Sequence, residues 1–143
     1  MAETTARGAF TGPATAEAVE AVHAELDGLW ARAGHVPETD RAAFTLAVVE
    51  AATNVVVHAV PATEAPIRLG VDLMAGPRRL EARIYEIGAA PARVALERAM
   101  PQEQAESGRG LALIQALVSQ VVFERHGDRN VWKLCRECGA GGP

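Results

Sequence analysis

Long apolar runs are missing from this 143-residue chain. No stretch reaches the ~18 consecutive apolar residues of a membrane-crossing helix. The opening MAETTARGAF lacks the apolar centre of a secretory leader. A cytoplasmic location and no membrane partner are therefore expected. Aromatic residues make up only 4% of the chain although 49% of it is apolar, so Ala, Val and Leu must build the core. Side chains that small suit close packing of helices on a sheet. There are two cysteines, Cys135 and Cys138. A zinc site needs further ligands at matching spacing, and neither cysteine nor His23, His35, His58 and His126 supply them. The cysteines are expected to be reduced thiols in or just after the last strand. A chain this long buries roughly two thirds of its unfolded surface and needs no disulfide or metal to fold. The net charge is −4 with no basic stripe, which argues against direct nucleic-acid binding. No P-loop GxxxxGK[ST] occurs anywhere.

The residues present outline a single domain over 1–138 and a disordered tail over 139–143. Residues 7–11 suit a short edge strand. Pro13 and Thr15 open a helical pattern running to about Ala33, with Val19, Val22, Leu26 and Leu29 or Trp30 on one face. That face either packs on the sheet or is partly open to a partner. Asp40 is the expected N-cap of a second helix ending near Ala59, ahead of Pro61. Residues 67–74 and 80–87 alternate as two strands of a hairpin, with Ile67, Leu69, Val71 and Leu73 on one face of the first. Leu80, Ala82, Ile84 and Glu86 occupy the matching face of the second. Residues 89–107 read as irregular, with at most one helical stretch after Pro91. A helix from Leu111 to about Gln120 follows, then a hairpin of 121–125 and 130–135 turning at Gly127–Asp128. Hairpin connections imply a mixed, mostly antiparallel sheet, with helices on one face: an α+β two-layer sandwich.

Three features carry chemistry. In the second helix Glu50, Asn54 and His58 stand out from an apolar background. They are four residues apart, so each step advances about 40° and all three fall on one stripe. An Asn amide oxygen is a hard, neutral donor suited to Mg²⁺, and a carboxylate one turn away can take a proton from an attacking hydroxyl. The same stripe also fits the solvent side of an amphipathic helix. The second feature is SGRGLALI, where Gly108 and Gly110 flank Arg109 just ahead of an apolar helix. Glycines let backbone amides approach phosphate closely, a helix N-terminus adds free N–H groups, and Arg109 adds a cation. It also suits an ordinary helix start. The third is IYEIGAAPAR, where the acidic Glu86 ends a strand and Gly88 follows. This pair could receive the amine of adenine, or could be a simple strand end with a turn glycine.

Taken together the three features resemble the anti-sigma-factor serine/threonine kinases, of the ATPase superfamily shared by gyrase, histidine kinases and mismatch-repair ATPases. FTLAVVEAATNVVVHA is similar to the family's asparagine box. ESGRGLALIQALVSQVVFE is similar to its second glycine box, and VWKLCRE to its closing strand. The likeness covers most of residues 10–137 and implies the ATPase fold of that superfamily, with ATP and Mg²⁺ as cofactors. It implies that Asn54 coordinates Mg²⁺ and that Glu50 is the general base. Gly108, Arg109 and Gly110 would wrap the phosphates, and Glu86 with Gly88 would stand at the adenine. The implied activity is phosphorylation of an anti-anti-sigma antagonist of the STAS type, coupled to sequestration of a sigma factor, by a homodimer. The sequence departs from the family pattern at Glu86, where an Asp is usual, and at AAPARVAL just after Gly88. A protein-binding regulator of the same fold, impaired in nucleotide binding and not catalytic, is the alternative those departures suggest.

Overall fold

The computed structural model describes residues 5–91 and 105–139, with residues 105–109 as backbone only. Along the described chain the elements are β1 (Ala6–Pro13), α1 (Ala16–Arg32), α2 (Glu38–His58), β2 (Arg68–Ala75), β3 (Arg79–Ile87), α3 (Ala105–Leu117), β4 (Gln120–His126) and β5 (Arg129–Glu137). The strands form one open sheet in the order β1-β2-β3-β5-β4. Every pairing among them is antiparallel. The expected two-layer α+β sandwich is thus found, with an antiparallel sheet where a mixed one was expected.

Strand alternation decides which face is covered. Leu69, Val71 and Leu73 of β2 and Leu80, Ala82 and Ile84 of β3 are buried, while Asp72 and Arg83 between them are exposed. Trp132 and Leu134 extend the buried face across β5, as the cross-strand partners of Ile84 and Ala82. Onto it pack Val22, Leu26 and Leu29 of α1 and Phe44, Val48 and Val55 of α2. Of the two residues expected to open the first helix, Pro13 instead ends β1 and Thr15 caps α1, its hydroxyl accepting from the Ala18 amide at 3.3 Å. Trp30 belongs to the packing of α1 on α2. Its ring meets Phe44 edge-on at 6.0 Å, and its Nε1 donates to Thr45 Oγ1 at 2.9 Å. Cys135 and Cys138 are buried and unpaired with each other, and burial pushes the Cys138 thiol up.

Asp40 is not the N-cap of α2. Pro37 holds that position, with φ −59° and ψ 148° and no side-chain cap bond. The fixed proline φ starts the helix at Glu38 and leaves Asp40 in the first turn, turned inward. Arg136 Nε donates to Asp40 Oδ1 at 2.8 Å, and the Gly139 amide reaches its Oδ2 at 3.4 Å. Arg136 also donates to the Leu117 carbonyl at 2.5 Å. One buried carboxylate therefore ties the start of α2 to β5 and to the end of α3. Asp40→Ala should leave Arg136 half-satisfied and cost about 1–3 kcal/mol, less than a fully buried pair would. Thermal unfolding of the variant checks this. The tail expected from residue 139 falls, beyond Gly139, outside the described residues. No helix among the described residues is long and apolar enough to cross a membrane.

Candidate functional site

Helix α2 carries its polar stripe where α3 crosses it. Glu50, Asn54 and His58 are all half-buried, between the buried Ala51, Ala52 and Val55 and the open side of the helix. Gly110 of α3 lies directly against the first two. A methyl group built on Gly110 would stand 3.0 Å from Glu50 Oε2. It would stand 3.2 and 3.3 Å from the amide nitrogen and oxygen of Asn54. Only hydrogen at this position lets α3 approach the Glu50–Asn54 edge so closely. The sequence features far apart in the chain, around residue 50 and around residue 110, therefore meet.

The glycine pair meets the stripe in a different conformation from the one expected. The sequence predicts a turn at Gly108–Gly110 and a helix from Leu111, but α3 begins at Ala105. Helix ends leave four free amides, so those of α3 belong to residues 105–108. Gly108 supplies one, and Gly110 lies inside the first turns, supplying close approach instead. Ser and Gly are weak helix formers, yet tertiary packing overrides that preference here. The Arg109 side chain and residues 92–104 lie outside the described residues. They include most of the segment after Pro91 that the sequence reads as irregular.

The third feature is drawn toward the same end of α2. Gly88 has φ +82°, a left-handed conformation suited to glycine. Its amide donates to the Asp128 carbonyl and its carbonyl accepts from the Ala62 amide, both at 2.9 Å. The Ala90 amide donates to the Val60 carbonyl at 2.6 Å, and Pro61 bridges Ala89. The chain leaving β3 is thus laced to the chain leaving α2, just beyond His58.

Glu86 is buried at the end of β3, at the inward position its alternation predicts. Asn130, its cross-strand partner on β5, donates from Nδ2 to Oε1 at 2.9 Å. Trp132 Nε1 donates to Oε2 at 2.7 Å. The sequence reading missed Asn130, Trp132 and Arg125, which binds Asn130 Oδ1 at 3.0 Å. A signal existed: Asn130 is a polar residue at an inward parity of a strand otherwise lined by Trp132 and Leu134. Its partner was hidden because β3 and β5 are not consecutive.

A family model for the histidine kinase-like ATPase domain matches residues 12–136. The chain belongs to this family, and the resemblance read from its sequence holds at that level. No curated protein matches the chain. Among solved structures it is similar to the crystal structure of the RsbU and RsbW domains of Rv1364c from Mycobacterium tuberculosis, with a TM-score of 0.65. That chain is 22% identical over 92% of the present one, a likeness that concerns the fold. The present chain spans 32% of its length, about a third.

Proposed function

We propose that the chain is an ATP-dependent serine/threonine protein kinase that phosphorylates an anti-anti-sigma antagonist of the STAS type and sequesters a sigma factor, acting in the cytoplasm as a homodimer. The observation that carries this reading is the contact of Gly110 with Glu50 and Asn54. It sets an amide oxygen and a carboxyl group together, one helical turn apart, beside the start of α3. That donor set fits Mg²⁺, which takes oxygen ligands and few protein ones. Asn54 would hold the ion, whose charge offsets that of the triphosphate. Glu50 would accept the proton of the attacking serine or threonine hydroxyl as its oxygen bonds to the γ-phosphorus and the bond to the β-phosphate breaks. The free amides of α3 suit phosphate oxygens, and Arg109 would join them. The sequence resemblance and the likeness to a chain with an RsbW domain support the choice of protein substrate. The test is transfer of radiolabel from γ-labelled ATP to a purified STAS-type protein. Nucleotide binding without any transfer would defeat the kinase reading.

One observation favours the second reading, a regulator that binds its partners without catalysis. Glu86 is 3% exposed, with its carboxyl turned to Asn130 and Trp132, which leaves little of it open to a base. A sigma factor held equally well in ATP-free and ATP-saturated preparations would support that alternative.

Gly110 also gives a prediction of mixed sign. Gly110→Ala adds a methyl group to a helix interior, which by propensity alone stabilises by about 1 kcal/mol. The same methyl forces Glu50 and Asn54 aside. Stability is expected to change by less than about 1 kcal/mol while Mg²⁺·ATP affinity falls roughly tenfold or more. Calorimetry and thermal melts on one preparation separate the two effects.

A further inference from the structure

Helix α2 is apolar on nearly every side. Between Ala43 and Val57 only Thr45, Glu50, Thr53 and Asn54 break the run. A helix of that kind is expected to be covered all round, yet one side is open. Leu46 is 46% exposed and Val57 62%. Three helical turns separate them, so both lie on the same side. Thr53 falls between them, and its hydroxyl is turned back to the Val49 carbonyl at 2.8 Å. Beside Leu46 this apolar side borders a groove of about 430 Å³ between α1 and α2. Trp30, Arg41, Ala42, Thr45, Leu46 and Val49 line it, and His23 and Glu38 also border it. Trp30 and Thr45 satisfy each other there. Arg41 is different: its Nε is buried without a hydrogen-bond partner, the one such side-chain atom among the described residues. A covered N–H with no acceptor is costly, and a carboxylate meets the side of a guanidinium through two parallel hydrogen bonds.

We infer that the groove between α1 and α2 receives an amphipathic helix of a protein partner, whose docking face is aliphatic and carries one carboxylate for Arg41. The groove is open along one side, whereas a small ligand needs most of its surface enclosed. An extended segment would need backbone partners, and the two helices have used theirs internally; a helix brings its own backbone bonds with it. From Glu38 to Val49 the groove follows about 17 Å of α2, the length of roughly three turns of guest helix. Trp30 and Arg41 are the residue types that anchor such contacts. Glu38 sets a limit on the guest's charge. It lies one turn before Arg41 and repels a cluster of acids, so a single carboxylate fits where an acidic tract does not. The inference is independent of the nucleotide site and goes beyond the kinase reading.

Selection of helix-forming peptides, about four turns long, from a phage-displayed library against the full chain tests it. Enriched peptides are expected to carry aliphatic residues three and four apart with one Glu or Asp among them. Changing that acid to its amide in a selected peptide should weaken binding about tenfold or more. Arg41→Met should erase the difference, so that acid and amide forms bind within about twofold of each other. Leu46→Glu should abolish binding of both. An acid–amide difference that persists in Arg41→Met overturns the inference, as does a selection yielding no peptide whose binding Leu46→Glu removes. Thermal melting supplies a second readout. Arg41→Met takes away a buried donor that has no partner, so its melting temperature is expected at or above that of the parent. A fall of more than about 5 °C gives Arg41 a structural role and overturns the inference. Sedimentation distinguishes a second copy as the occupant: a dimer of the parent that Leu46→Glu converts to monomer would assign the groove to self-association and overturn the reading as a partner site.

Discussion

Replacing Glu86 with leucine is expected to destabilise the domain by about 2–4 kcal/mol, a large share of the ~5–15 kcal/mol that holds a domain of this kind together. The side chains are close in size, so little of this comes from a cavity. The effect comes from the donors left behind. Trp132 Nε1 has Glu86 Oε2 as its acceptor, at 2.7 Å, in a site only 5% exposed. Leucine leaves that N–H buried and unsatisfied, which costs the full desolvation of the group. Asn130 is hurt less, because its Nδ2 keeps the Ala90 carbonyl. Glu86→Gln keeps one acceptor and turns an amine toward the other donor, so an intermediate loss is expected. Urea unfolding reads both variants: the midpoint should fall while the slope stays constant. A leucine variant within about 0.5 kcal/mol of the parent would show that the Glu86 network does not hold β3 to β5.

That network also marks where the sequence stopped being informative. The alternation of β2 and β3 is local, so the inward set Leu69, Val71, Leu73, Leu80, Ala82, Ile84 and Glu86 could be read without knowing any neighbour. The 3.6-residue period likewise placed Glu50, Asn54 and His58 on one stripe, and the structure leaves all three half-buried together. Pairing of β3 with β5 is different. Some 40 residues separate Glu86 from Asn130, and no turn fixes their register, so the partner of a buried acid could not be named in advance. Asp40 failed for a related reason. Its residue type and position both suit an N-cap, and only the distant Arg136 pulls it inward. The start of α3 was misplaced because glycine and serine argue locally for a loop. What outweighs them is the fit of Gly110 against α2, a contact between residues 50 and 110 that no window of sequence contains.

Asn54→Ala and Glu50→Gln should fail in opposite ways, although the two side chains are one turn apart and touch the same glycine. If the Asn54 amide oxygen ligates Mg²⁺, its removal takes a protein ligand from the metal–triphosphate complex. Affinity for Mg²⁺·ATP should drop at least about 100-fold, the scale seen when metal-site residues are lost. Glu50→Gln keeps the length and shape of the side chain against Gly110 and removes the ability to take a proton. Nucleotide affinity should stay within about threefold of the parent while the rate of phosphate transfer falls roughly 10²–10⁴-fold. Neither residue is fully buried, so both variants should unfold within about 1 kcal/mol of the parent. Titration of each with ATP at fixed and at zero Mg²⁺, beside single-turnover transfer to a purified STAS-type protein, gives six numbers. Loss of binding confined to Asn54→Ala and dependent on Mg²⁺ assigns the metal to the amide. Loss of binding in Glu50→Gln instead would make the carboxylate the ligand. The proton would then have to be accepted by another group near Gly110, with His58, the next residue along the stripe, first to be substituted.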